Sequence, residues 1–292
     1  MTPTCSRRSA DLEEEIWGTA PEEPGFLVLE NPGPWGRDGL ADSRLDGGTA
    51  AAIAAAAKAA GLRLQAIRRS TRRYNAAPVH AWIGRFGGPM ERLELPHARS
   101  VLDLDLAGAA AGRLTGAGVA DDSPLFLVCT HSTRDPCCAR LGLPLAREVG
   151  VAAGGRTWHS SHLGGHRFAA TMAVLPSGLW LGRVPVTAAA AVVAAAAAGE
   201  VPYEYLRGRA GLACRAQVAE IELRRRHGLR DGGALRVLSA DGDAITLEAA
   251  GERVALTVVR EPTGTARPLS CGAGAKVEDP GRYRISASPG RP

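Results

Sequence analysis

The chain has 292 residues, 45% of them hydrophobic and 22% charged, which is enough apolar material for a sizeable core and lacks the polarity bias of a disordered chain. The formal net charge of +5 is almost wholly arginine, since Lys58 and Lys276 are the only lysines, and no basic run exceeds Arg224 to Arg226, which argues against a nucleic-acid partner. Acids stand where a secretory signal would be apolar, and the Ala-rich segment from Val186 to Ala198 is too short to cross a bilayer, so a cytoplasmic protein with no membrane association is expected.

Residues 1–22 read as a polar leader. Phe26 to Glu30 (FLVLE) is a short buried strand, followed by a Pro- and Gly-rich loop, NPGPWG. Thr49 to Ala60 is an alanine-rich helix stopped by Gly61, and Leu62 to Ile67 is a second strand. His80 to Phe86 and Glu91 to Leu95 flank GGPM as a hairpin. The same order then recurs. Pro124 to Cys129 is a strand, Pro136 to Val149 a helix opened by proline, and Arg156 to His159 a second strand. Thr171 to Leu175 and Leu179 to Val184 surround Pro-Ser-Gly as a hairpin, and Thr187 to Ala198 is a closing helix. Gly211 to Gly228 reads as an amphipathic helix. After Ala234 short β-rich runs, LRVLS, AITLEA and RVALTVV, alternate with turns, and the last dozen residues read as disordered.

This order predicts an α/β protein in which helical crossovers join parallel strands. It divides into an N-terminal half at 23–112, a related second half at 113–228 with the order of a thioredoxin-like layer, and a small β-rich appendage at 229–292.

The chemistry gathers between Leu125 and His166. Cys129 ends an apolar strand and Cys138 follows eight intervening residues later, in the first turn of a helix, where the dipole favours a thiolate. His162 and His166 flank Leu-Gly-Gly, a loop whose glycines permit close curling of the backbone. Two thiols and two imidazoles form a donor set that suits iron or zinc, and the ligand types alone do not choose between them. In a reducing compartment the six cysteines are better read as ligands or free thiols than as disulfides. Cys214 and Cys271 are read as small buried residues, Cys5 as exposed, and His80, His97, His131, His159 and His227 as structural or solvated.

The pattern C-x8-C followed by H-x-G-G-H, with the flanking CTHSTRDPCCA, HLGGHRF, GTAPEEPGFLVLENPGPWG and SRLD, resembles the sucrase/ferredoxin-like family, and YLRGRAGL with AQVAEIELRRRHG extends the likeness over roughly residues 5–228. The resemblance implies a thioredoxin-like ferredoxin fold and a 2Fe-2S cluster, with Cys129 and Cys138 on one iron and His162 and His166 on the other. It points to an electron carrier or redox protein working with an unidentified redox partner protein, and leaves open whether the chain is an enzyme in its own right. Only 23 residues separate Cys138 from His162, at the short end of the family's spacing, so Cys137 remains an alternative to Cys138. Exchanging two thiolates for two neutral imidazoles eases reduction, as in Rieske centres at about −150 to +300 mV against about −400 mV for plant-type ferredoxins. An imidazole also leaves one nitrogen to titrate, which couples reduction to proton uptake. Arg134, Arg167, Arg207 and Arg209 are candidates for balancing the cluster's charge or receiving an acidic partner, with a solvated surface arginine the alternative reading for each.

Two other readings stay open. A structural Cys2His2 zinc site fits the histidine spacing, although C-x8-C is wide for zinc. A thiol oxidoreductase would use the vicinal Cys137 and Cys138, although C-x-x-C is absent. No carboxylate pair suited to glycoside hydrolysis and no dinucleotide motif stands out.

Overall fold

Apolar runs with no polar alternation fold as strands covered on both faces, and two of them fix the architecture. The computed structural model describes residues 4–69, 77–268, 270–272 and 277–287. It is a mixed α/β protein with a small β-rich C-terminal part. In chain order the elements are α1 (Cys5–Asp11), β1 (Gly25–Glu30), α2 (Gly47–Ala59), β2 (Leu62–Arg68), β3 (Val79–Arg85) and β4 (Met90–Leu95). Then come α3 (Leu106–Ala110), β5 (Val119–Ala120), β6 (Leu125–Cys129), α4 (Pro136–Ala153), β7 (Thr157–Ser160), β8 (Met172–Leu175) and β9 (Leu179–Leu181). The C-terminal third holds α5 (Ala189–Ala197), β10 (Leu206–Arg209), α6 (Cys214–His227), β11 (Leu235–Asp241), β12 (Ala244–Ala249), β13 (Glu252–Glu261), β14 (Arg267–Pro268), β15 (Val277–Glu278) and β16 (Arg282–Ala287).

Ten strands form one sheet in the order β10-β9-β8-β6-β7-β2-β1-β3-β4-β5. Its two sides repeat one pairing scheme. β1 lies parallel to β2 across α2 and antiparallel to β3, which pairs with β4; β6 lies parallel to β7 across α4 and antiparallel to β8, which pairs with β9. The sides meet where β2 and β7 run antiparallel, through Ile67 opposite Ser160 and Arg68 opposite His159.

Every residue of β1 and β6 is buried. Strand alternation sends Phe26, Val28, Leu125, Leu127 and Cys129 into a core shared with Trp82, Trp158 and Trp180. Leu27 and Leu29 pack with Ile53 and Ala57 of α2, and Phe126 and Val128 with Leu145 and Val149 of α4 and Val192 of α5. The appendage is a four-stranded sheet, β11-β12-β13-β16, whose Leu235, Ile245, Leu247, Leu256 and Val258 pack on Val218, Ala219 and Leu223 of α6.

Two readings are corrected, and one strand was not foreseen. The polar leader carries α1 and buries Cys5, Ser9, Glu14, Ile16 and Ala20. The tail expected to be disordered contains β16, because Tyr283 and Ile285 alternate onto the appendage core while the strand pairs with β13; residues 288–292 lie outside the described residues. YLRGR yields a strand, β10, bonded to β9 through Leu206, Gly208 and Arg209.

Candidate metal centre

β6 delivers Cys129 at its carboxyl end, where the chain turns away from the sheet. The turn is fixed by Cys129 N–H donating to Thr171 O (3.0 Å) and Thr130 N–H to Ser160 O (3.1 Å). α4 then starts abruptly. Asp135 is its N-cap, its carboxylate accepts the Cys137 N–H at 2.9 Å, and Pro136 occupies the first turn. Cys138 sits one residue further and faces back to Cys129. Gly142, one turn along, lets the helix come this close, since a Cβ there would stand 2.0 Å from the Cys129 carbonyl oxygen.

The second ligand segment is shaped by backbone conformation. Gly164 and Gly165 have φ of +79° and +63°, the left-handed region that costs other residues about 1–2 kcal/mol. Trp180 Nε1–H donates to Leu163 O (2.9 Å) and Arg207 Nη1–H to Gly164 O (3.0 Å), which pins the turn from inside. His131, buried between the two cysteines in sequence, accepts the His162 N–H at Nδ1 (3.1 Å). An amide can only donate, so the His131 proton sits on Nε2 and bonds Gly36 O at 2.7 Å. Burial pushes the His131 pKa down and keeps this neutral tautomer.

Three of the four expected ligands come together, and His166 adjoins the third. The donor atoms of Cys129, Cys138 and His162 lie within 4.8 Å of one another, with Cys138 Sγ 3.7 Å from His162 Nδ1. On the other side of that ring, His162 Nε2 is 3.4 Å from His166 Nδ1. The donors therefore run in a row from sulfur through imidazole to imidazole. Both cysteines are buried, and the histidines are half-buried at the edge. The hydrogen bond from Cys138 outweighs burial and holds the Cys129 thiol well below its ordinary value, and the same bond with burial raises Cys138, so the pair shares one proton. Metal binding displaces such protons.

Cys137 does not join this group. Its sulfur points to Cys5 Sγ (3.6 Å) and Cys271 Sγ (3.5 Å), with Asp135 beside them. The vicinal thiols thus serve separate surroundings, which removes the geometry for a Cys137–Cys138 redox pair and for Cys137 as the substitute ligand. Cys5, expected to be exposed, is 3% exposed; Cys271, expected to be buried, is exposed; and half-buried Cys214 lies 2.9 Å from the Tyr283 hydroxyl.

The arginines divide. Arg207 is fully buried and donates to Thr19 Oγ1, Thr19 O and Gly164 O, holding a cation behind the histidine loop. Burial lowers its pKa, but a guanidinium with these acceptors keeps its proton at neutral pH. Arg167 pairs with Glu14 at 2.7 Å, and Arg209 is bound to Glu220 at 2.8 Å. Arg134 borders a cleft of about 420 Å³ that Arg37, Arg63, Asp38, His131 and His162 also line. Sequence reasoning missed Asp135 and His131; the signal for both was their position inside the C-x8-C loop, and for Asp135 the Asp-Pro that opens a helix.

A model of the Sucrase/ferredoxin-like family matches residues 16–208. The chain belongs to that family. No curated protein and no solved structure matches it. The sucrase/ferredoxin-like match is narrower than the likeness read from the sequence. It takes in the whole ten-stranded sheet but for the last residue of β10, and all four candidate donors; it leaves α1, α6 and the appendage outside. Among the described residues no helix is long and apolar enough to cross a membrane.

Proposed function

We propose that this sucrase/ferredoxin-like protein is an electron carrier that holds a 2Fe-2S cluster through Cys129, Cys138, His162 and His166. The observation that carries the reading is the row of donors. A single tetrahedral ion needs every pair of ligand atoms about equally close, whereas here His162 stands between the sulfurs and His166, a spread that suits two metals. The donor types fit, with thiolates for iron and neutral imidazoles that lower the charge of the first shell. Loaded, the centre would take up and return one electron.

The chain's own residues tune and gate it. His131 fixes the backbone of His162. Asp135 Oδ2 lies 3.8 Å from His166 Nε2, so a proton arriving on that nitrogen meets a buried carboxylate. Arg207 places a fixed positive charge behind the loop. The half-buried histidines form the outer edge, and Arg37, Arg63 and Arg134 around the adjoining cleft would receive an acidic redox partner.

The test is protein purified without oxygen and measured for iron, acid-labile sulfide and its visible and EPR spectra. Two irons and two sulfides per chain are expected, lost in Cys138→Ser and kept in Cys137→Ser. The potential should fall by about 59 mV per pH unit where one proton accompanies one electron. His162→Cys and His166→Cys should flatten that slope. A flat wild-type potential from about pH 6 to 10 would sink bis-histidine ligation. The compact trio Cys129, Cys138 and His162 also suits one zinc ion with an open position, and a colourless, iron-free protein holding zinc there selects that reading.

A further inference from the structure

We propose that Cys5, Asp135, Cys137 and Cys271 form a second, mononuclear site for a thiophilic tetrahedral cation, zinc in the first instance. It draws on residues the electron-transfer reading leaves unused.

The geometry is that of a coordination shell. Four ligand atoms lie within 4.8 Å of one another. Zinc–sulfur bonds of about 2.3 Å at tetrahedral angles set sulfur–sulfur edges of about 3.8 Å, and oxygen ligands shorten the mixed edge to about 3.6 Å. The sulfur of Cys137 stands 3.6 Å from Cys5 Sγ and 3.5 Å from Cys271 Sγ, and Cys5 Sγ is 3.7 Å from both Asp135 oxygens. The compact trio at the first centre offers three mutually close donors, whereas here there are four.

Charge argues the same way. Asp135, Cys5 and Cys137 are buried, at 1%, 3% and 1% exposure. Among the described residues no arginine or lysine pairs with Asp135, and its one ion-pair neighbour is His166 at 3.8 Å. A divalent ion would place positive charge beside this buried carboxylate, which otherwise faces only backbone N–H donors, thiols and His166. The outer groups are those that support ligands. Cys137 N–H and Cys271 N–H donate to Asp135 at 2.9 and 3.0 Å, Cys5 N–H donates to Cys271 Sγ at 3.3 Å, and Ser6 Oγ–H donates to Cys137 Sγ at 3.3 Å. Binding would release the thiol protons and leave three thiolates and a carboxylate around the ion.

The ligands come from α1, from the start of α4 and from the segment after β14, with Cys5 and Cys271 lying 266 positions apart in the chain. Cys5 and Cys271 both lie outside the family match at 16–208. The ion would thus clip the two ends of the chain to the ligand-bearing helix of the sheet, closing a long loop whose entropy the rest of the chain has already met. Cys271, at the exposed corner, gives the ion a way in.

The experiment measures zinc, iron and labile sulfide in full-length protein prepared under reducing conditions with zinc in the medium. Wild type is compared with Cys271→Ser, Cys5→Ser/Cys271→Ser and Cys129→Ser/Cys138→Ser. The Cys5→Ser/Cys271→Ser protein should hold one zinc per chain fewer than wild type with iron and sulfide unchanged, and Cys271→Ser should weaken zinc by about tenfold or more, as loss of metal-site support does. The Cys129→Ser/Cys138→Ser protein should keep that zinc and lose the iron. Cys271→Ser alters an exposed position and keeps the test readable if the double variant does not fold. The proposal is overturned by zinc that follows Cys129 and Cys138, by a zinc-free wild type whose Cys5, Cys137 and Cys271 all react freely with alkylating reagent, or by isolation with a disulfide among those three.

Discussion

The two glycines of HLGGHRF offer a test in which one site serves as the control for the other. Gly164 and Gly165 both adopt left-handed backbone, so alanine at either costs about 1–2 kcal/mol. Their surroundings differ. A Cβ on Gly164 would have only Arg207 Nη2 near it, at 3.8 Å, which is ordinary contact, whereas one on Gly165 would stand 2.8 Å from Nη2, 2.9 Å from Cζ and 2.9 Å from Phe168 Cδ2. Arg207 has no slack, being buried and bonded to Thr19 twice and to Gly164. Moving it forfeits at least one hydrogen bond from a charged donor, worth about 1.5–3 kcal/mol. Gly164→Ala should therefore cost about 1–2 kcal/mol, and Gly165→Ala about 2.5–5 kcal/mol, with the excess arising from Arg207. Urea titration of the two variants at unchanged m-value reads this directly. Equal losses, within about 0.5 kcal/mol, would refute the claim that the loop is wedged against Arg207.

Replacing His131 with Phe strands the part-buried His162 N–H and should cost about 1–3 kcal/mol together with iron content, while His131→Gln, which keeps an acceptor, recovers part; unchanged iron in His131→Phe would remove it as a positioning residue. Glu14 is buried between Arg267 and Arg167. Burial pulls its pKa up, but the two guanidiniums outweigh this and hold it below its ordinary value of 4.5. Its contribution is then present above that pH and lost as acid protonates the folded state, so Glu14→Gln should cost about 3–5 kcal/mol at neutral pH and progressively less below about pH 4.5. A pH-independent difference would contradict the pairing. Gln65 Nε2–H donates to Ser161 Oγ beside His162. Gln65→Leu should cost about 1–3 kcal/mol, and Gln65→Leu/Ser161→Ala less than the sum of the single changes, because no polar partner is then left unpaired; additive costs would count against the bond.

Much of the sheet was legible because β1 and β6 are continuous apolar runs bounded by loops, and α2 and α4 carry their start and stop residues in sequence. α1 was not, for a physical reason. CSRRSAD has no apolar stripe; its buried face is Cys5 and Ser9, and what it packs against is Asp135, Cys137 and Cys271, 130 or more residues away. β16 was hidden likewise, since Arg, Ser and Pro near the end outweigh the alternation of Tyr283 and Ile285. Spacing and family likeness named Cys129, Cys138, His162 and His166 as candidate donors and set Cys138 before Cys137, but they could not show where each sulfur points. Successive helix residues point about 100° apart, so everything turns on where α4 begins, and Asp135 at its N-cap sets that.

The repeated strand scheme explains why the first half, which carries none of the four donors, still belongs to the site. β1 and β6 run in opposite directions, but their carboxyl ends converge at the β2–β7 seam, so the loop after β1, NPGPWG, meets the ligand loop after β6 and its backbone supports that loop. Trp35 O and Gly36 O accept from Thr133 Oγ1 at 3.0 and 2.6 Å, and Gly36 O accepts from His131 Nε2. Across the β2–β7 seam, Ser161 N–H donates to Ala66 O at 2.8 Å, which sets the residue before His162 on the edge of the first half. One half thus presents the cysteines and histidines, and the other holds the loops that aim them. A loop anchored on two sheet halves changes shape only if the seam opens, so the donor row is held by the whole ten-stranded sheet rather than by its own short segments.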